Sequence, residues 1–160
     1  MFITHKNNKG FTLIELLVVI GILSILLAIT LIAINPARQF AQSNDTKRKS
    51  DVTAILNAIG QFAADNNGSL PGDNPVPANS EITTSPQLIS SAESNLCAFL
   101  VTQYMAALPS DPTTGSPTGM IPQPCPAVYD TGYTVVKSAL DNRVTITATG
   151  QITPIITATR

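Results

Sequence analysis

Few side chains in this sequence have the type and spacing to do chemistry. Glu15 stands at the mouth of an oily run, with no charged residue from position 16 to position 34. A carboxylate at the centre of a bilayer costs roughly 2.5–3.5 kcal/mol on insertion scales, and less near one end. Glu15 therefore either reaches back to water at an interface or waits for a positive partner. Cys97 and Cys125 are the two cysteines, and His5 is the one histidine. With His5 ahead of the oily run, a Ser-His or Cys-His nucleophile has no base in the rest of the chain. A Cys/His metal cluster of the usual spacing is also missing, as is a Gly-x-Ser-x-Gly elbow. Asp111, in "LPSDPTTG", has only Asp130 as a possible second carboxylate. Calcium takes six to eight oxygens, several of them from carboxylates, so a turn is the expected role of this stretch. No metal and no cofactor is expected.

These residues need elements to hold them. The chain has 160 residues, enough for one modest domain, and a formal net charge of −1. Residues 16–34 approach the ~20 residues that span a bilayer core as a helix. A single short segment in lipid satisfies its backbone hydrogen bonds only as a helix. Gly21, Ser24 and Ala28 share one face of that helix, where small side chains either permit close approach of another helix or are simply tolerated. A cleaved secretory signal has a shorter apolar core and a small-residue cleavage site, so an anchor fits better. Basic residues flank the run on both sides (Lys6 and Lys9; Arg38, Lys47, Arg48 and Lys49), so charge does not set its orientation. The body is rich in Thr, Ser and Pro, poor in Lys, and holds both cysteines, which reads as extracytoplasmic. Residues 52–160 carry three basic and seven acidic side chains, the reverse of a nucleic-acid binder.

The stretch "KGFTLIELLVVIGILSILLAI", residues 9–29, resembles the N-terminus of type IV pilin precursors and related pseudopilins. The likeness lies in a basic leader ending Lys9-Gly10, then Phe11, then Glu15, then the apolar helix. It implies removal of the leader, residues 1–10, by a membrane-embedded prepilin peptidase cutting between Gly10 and Phe11. A small residue before the cut suits an active site that must admit the backbone closely. The resemblance also implies methylation of the new Phe11 amine, which keeps its charge. Glu15 of one subunit would then pair with the Phe11 amine of a neighbour, setting the register along a filament. On this reading residues 11–34 form a transmembrane and filament-core helix, and residues 35–160 an extracytoplasmic globular domain.

The body must be read by pattern. Asn35-Pro36 predicts a kink or short melt, since proline removes a donor and clashes with the preceding turn. "DTKRKSD", residues 45–51, has mixed sign and reads as a solvated face. Val52, Ile55, Leu56, Ile59, Phe62 and Ala63 recur at helical spacing, with Asn57, Gln61 and Asp65 opposite. Asn67-Gly68 and Pro71 end that helix, which continues to about residue 66. A straight helix over residues 11–66 would be roughly 84 Å long. Residues 72–94 read as a long surface loop. A second short helix is predicted in "SNLCAFLVTQYMAAL", capped by Ser94 or Asn95, with Leu96, Phe99, Leu100, Tyr104 and Leu108 as its apolar stripe. "PSDPTTGSPTGMIPQPCP" reads as loop. Strands are expected over residues 133–137 and 143–149, joined by an Asp141-Asn142 turn. A third strand follows in "QITPIIT", where Pro154 marks an edge. The expected fold is α+β: a long N-terminal helix, transmembrane then amphipathic, packed on a small antiparallel sheet, as in pilins.

An even pair of cysteines outside the cytoplasm suggests one Cys97–Cys125 disulfide, two buried thiols being the alternative. "LPSDPTTG" is similar to a turn of some pilins and major pseudopilins. The resemblance implies a structural subunit of a type IV pilus-like surface filament and no enzyme. Its partners would be the peptidase, identical or related subunits, inner-membrane assembly machinery, and the membrane before assembly, with no nucleic acid. It would sit in the cytoplasmic membrane as a single-pass protein and then in an extracellular pilus. The alternatives are a pseudopilin of a type II secretion system, in the periplasm, and a signal-anchored surface protein that never polymerises.

Overall fold

The computed structural model describes residues 10–73, 81–122 and 124–160. The expected leader, apart from Gly10, and the 74–80 part of the expected loop lie outside those residues. The chain forms two compact units, residues 1–40 and 41–160.

In the first unit, α1 runs over Leu13–Ile34 and contains no buried residue. It is long and apolar enough to cross a membrane. Its two hydroxyls are satisfied within the helix: Ser24 Oγ donates to the Ile20 carbonyl at 2.7 Å and Thr30 Oγ1 to that of Leu27 at 2.9 Å. Such back-bonding lets a polar side chain sit on an apolar cylinder at little cost. The helix stops at Asn35, whose backbone turns left-handed with φ 45°. Pro36 then opens α2, Pro36–Asp65. Proline suits a first helical position, where its missing N–H has no partner to lose. Asn35 caps the new helix, since its side-chain oxygen accepts from Arg38 N at 3.3 Å.

In the second unit, α2 turns Val52, Ile55, Leu56, Ala58 and Ile59 inward. They share one core with Tyr133, Val135, Ile146, Ala148 and Ile156 of the main sheet. Full burial of an aliphatic side chain of this size stabilises by about 1.5–3 kcal/mol, so this stripe holds the helix in place. Asn57, Gln61 and Asp65 stay exposed, as the periodicity requires. The helix ends with Asn67 and Gly68 both at positive φ, and Gly68 N reaches the Ala63 carbonyl at 2.7 Å.

The sheet is antiparallel in the order β1-β4-β5-β6, with β1 Gln87–Ser90, β4 Asp130–Lys137, β5 Val144–Thr149 and β6 Ile155–Thr159. Asn142, in the predicted turn, takes φ 56°. β6 starts directly after Pro154 and is an edge strand. The α+β expectation stands at this level: a long apolar helix, a second amphipathic one, and a small antiparallel sheet.

Three expectations need correction. The stretch 72–94 is not all loop, because β1 pairs with β4 and Ile82 and Ile89 are fully buried. The second helix shrinks to one turn, α3 Cys97–Leu100. Thr102 then takes φ 79°, a conformation that ends helix, and Leu108 instead joins β2, Leu108–Pro109. Leu96 precedes α3 without a side-chain cap, and Asn95 serves as an acceptor for Tyr129 instead. The third correction is that "PSDPTTGSPTGMIPQPCP" is not wholly loop, since β2 pairs with β3, Met120–Ile121.

Candidate functional site

Gly10 and Phe11 precede α1 and both are exposed, Phe11 at 86%. Thr12 is the N-cap, in extended conformation with φ −78° and ψ 149°. Its Oγ1 accepts from Glu15 N at 3.3 Å, while Glu15 Oε2 accepts from Thr12 N at 3.0 Å and from Thr12 Oγ1 at 2.7 Å. This is a reciprocal capping box, which satisfies helix-end donors that would otherwise be orphaned. An acidic group in the first turn also suits the positive end of the helix dipole. Glu15 thus has a local task that the sequence reading missed, although Thr-x-x-Glu is its signature. Its other oxygen, Oε1, accepts no hydrogen bond among the described residues. A Cβ placed on Gly10 would meet nothing within 4 Å. Among the described residues, nothing therefore demands glycine there.

The second unit holds a buried ionic cluster. Arg48, 2% exposed, lies among carboxylates from two sides. Its Nε and Nη2 donate to Asp111 at 2.6 and 3.0 Å, and Nη1 donates to Asp45 at 2.9 Å. Thr113 Oγ1 takes a further bond from Nη2 at 2.6 Å. Asp45 also accepts from the backbone N–H groups of Gln151, Ile152 and Thr153 at 2.7–2.9 Å. Those three donors, with Gln151 foremost, then Thr153, hold its carboxyl well below the usual range. Burial pushes Asp111 up, but Arg48 and the backbone and hydroxyl of Thr113 outweigh it and leave that carboxyl low as well. Asp111, chiefly, keeps the Arg48 guanidinium protonated. The 45–51 stretch is therefore not wholly a solvated face: Thr46, Lys49 and Ser50 are exposed, but Asp45 and Arg48 are buried. Those two residues form a clasp that fastens α2 to the loops 110–115 and 150–153.

The clasp accounts for Asp111. Besides Arg48, its Oδ1 accepts from Thr113 N at 2.7 Å, Thr113 Oγ1 at 2.8 Å and Thr114 N at 3.0 Å. The loop is a turn organised around a guanidinium. Asp130 turns elsewhere, accepting from Gly132 N at 2.8 Å. Among the described residues no group of three or more His, Cys, Asp or Glu side chains could hold a metal ion. Gly115 is required by close approach, as a Cβ there would run into Ser110 Oγ and the Asp111 backbone.

Cys97 and Cys125 are joined in a disulfide. The Tyr129 hydroxyl accepts from Cys97 N at 3.3 Å and donates to Asn95 Oδ1 at 2.8 Å, and burial pushes that phenol up to about 12. Of the sites expected from sequence, Gly10, Phe11 and Glu15 lie at the start of α1, Pro36 opens α2, and the cysteine pair clips α3 to the loop after β3.

The family model for the prokaryotic N-terminal methylation motif matches residues 5–31. That motif is diagnostic of type IV pilins and pseudopilins, which are structural and not catalytic. No curated protein and no solved structure matches the chain.

Proposed function

From the methylation motif at its N-terminus, we propose that this chain is a structural subunit of a type IV pilus-like surface filament. Prepilin peptidase cuts between Gly10 and Phe11 and methylates the new amine. The chain then polymerises through α1 with identical or related subunits, with the help of inner-membrane assembly machinery. Before assembly it is held in the cytoplasmic membrane by α1, and afterwards it is extracellular.

The observation that carries this reading is the motif itself, running without interruption into a helix of membrane-spanning length. The local geometry supports it. The Gly10–Phe11 bond lies exposed ahead of the helix cap, and the small residue at Gly10 answers to no contact among the described residues. The demand for glycine then comes from the enzyme that must admit it. Glu15 has one carboxylate oxygen on Thr12 and one open. The open oxygen receives the Phe11 amine of a neighbouring subunit, and the capping box holds it in position until then.

Glu15→Ala tests this. The variant is expected to be processed normally, to remain in the membrane, and to yield few or no fibres by electron microscopy. Normal fibres from that variant would overturn the pairing. A processed wild-type chain confined to short periplasmic assemblies would move the reading to a type II secretion pseudopilin.

A further inference from the structure

The globular unit carries two exposed features, each of which sets an uncovered apolar side chain beside a charge, the two charges being of opposite sign. One is a groove of about 680 Å³ between α2 and β6. Gln42, Asp45, Thr46 and Lys49 form one wall, and Ile152, Ile155 and Thr157 stand on the other; the Asp45 carboxylate is already taken up by Arg48 and the backbone N–H groups of 151–153. Ile155 is 67% exposed, an apolar side chain left uncovered at the start of an edge strand. The Lys49 ammonium has no hydrogen bond or ion pair among the described residues. The groove therefore offers an apolar floor beside an unpaired cation.

The other feature is the tip of the β4–β5 hairpin. Leu140 is 98% exposed there, next to Asp141, also exposed, whose carboxylate accepts from Arg143 N at 3.4 Å and from the Ser138 hydroxyl and has the Arg143 guanidinium 4.0 Å away. An apolar side chain at the apex of a turn, adjoining a carboxylate, is the complement of the groove. A pair as open as Asp141–Arg143 is worth little, so the guanidinium does not hold Asp141 away from a cation on another copy.

The two features lie at opposite ends of the same strand. The hairpin tip joins β4 to the first residue of β5, while the groove begins where β5 hands over to β6 at the Thr149–Ile155 pair. They are offset along α2 in the same sense. The groove adjoins Lys49, whereas Asn142 of the tip lines a cavity with Gly60 and Ala63, about 14 residues further along and roughly 21 Å at 1.5 Å each. An antiparallel two-fold pair satisfies both contacts at once and stops there, whereas in a head-to-tail arrangement each copy offers its tip to one neighbour and its groove to the other, and the contact propagates into an open fibre; the filament reading selects the second.

We propose that the hairpin tip of one subunit docks in the α2–β6 groove of the next copy of this chain, with Leu140 against Ile152 and Ile155 and Asp141 on Lys49. This rests on the filament reading above and adds to it a contact made by the globular units. Burial of Leu140 supplies attraction, and the Asp141–Lys49 pair selects the direction and the register.

The test uses the full-length chain in cells that make its filaments. Leu140→Cys with Ile155→Cys in one chain, mildly oxidised, is expected to give a ladder of covalent oligomers that neither single cysteine variant gives. Lys49→Glu and Asp141→Lys are each expected to lower fibre yield tenfold or more, and the double variant to restore it. Mass spectrometry of every variant reads the N-terminus separately. Fibres of normal yield from the single variants, with no ladder, would overturn the docking while leaving the filament reading intact. A wild-type chain that is never processed and never assembles would overturn both. A single-variant loss that the double variant fails to rescue would overturn the Lys49–Asp141 pairing.

Discussion

Arg48 and Asp111 meet side by side inside the globular unit, Nε on Oδ2 at 2.6 Å and Nη2 on Oδ1 at 3.0 Å, each side chain only 2% exposed. They stand on α2 and on the loop after β2, far apart in sequence. Removing one partner of a buried pair strands the other charge, typically at a cost of ~3–5 kcal/mol. Arg48→Met is therefore expected to destabilise the chain by about that amount. The double variant Arg48→Met, Asp111→Leu should recover a good part of the loss, because the one carboxylate left there, Asp45, is still held by the backbone N–H groups of 151–153. Denaturant unfolding of the purified, detergent-held chain checks both. An Arg48→Met chain as stable as wild type would show that the clasp carries no net stability.

Acid should loosen the same cluster. Asp45 is held low by the backbone N–H groups of Gln151, Thr153 and Ile152, and Asp111 by Arg48 and Thr113 against its burial. A folded-state value below the unfolded one, about 3.9, means that the unfolded chain binds more protons in acid. The stabilisation is thus complete above about pH 4 and is lost progressively as pH falls toward the folded values. The thermal midpoint is expected to be flat from about pH 7 to pH 5 and to drop below about pH 4. Asp45→Asn should flatten that drop. A wild-type midpoint unchanged down to about pH 2 would contradict the carboxylate roles.

This cluster was the least legible part of the sequence. The residues of "DTKRKSD" look like any solvated run, because pairing depends on loops more than sixty residues away. Only Asp111 was visible as a candidate, and without Arg48 its partner could not be named. The helix with Val52, Ile55 and Ile59 was legible because its period survives in the fold. The predicted stripe from Leu96 to Leu108 was misleading. Its members are buried or half-buried, but Phe99 and Tyr104 pack edge-on around Phe62 at centroid distances of 6.1 and 5.6 Å, and Leu108 belongs to a strand. Burial imitated a helical period in a chain that turns at Thr102. β1 escaped notice because only Leu88 and Ile89 are apolar in its four residues.

Loss of the disulfide should weaken the body. Cys97 and Cys125 are 28 positions apart, and loop-closure entropy for such a ring is worth roughly 3.6 kcal/mol. Cys97→Ser is expected to lower stability by about 2–4 kcal/mol, read as a shifted denaturant midpoint with an unchanged slope. It should leave the N-terminus of the chain as in wild type. A variant with the wild-type midpoint would mean that the bridge does not constrain the unfolded chain.

Processing should depend on Gly10 without any change in folding. Among the described residues a Cβ there meets nothing within 4 Å, so Gly10→Val is expected to leave the fold unchanged. The expected outcome is a stable chain retained at precursor mass, with the thermal midpoint of the unprocessed wild type. Normal cleavage of Gly10→Val would remove the steric argument for glycine at that position.

The central claim is most directly tested by the mass and first residue of the protein taken from native cells. The account predicts a chain that starts at Phe11 and carries one added methyl group on its amine. A chain starting at Met1, or one starting beyond the apolar segment that ends at Ile34, would contradict it.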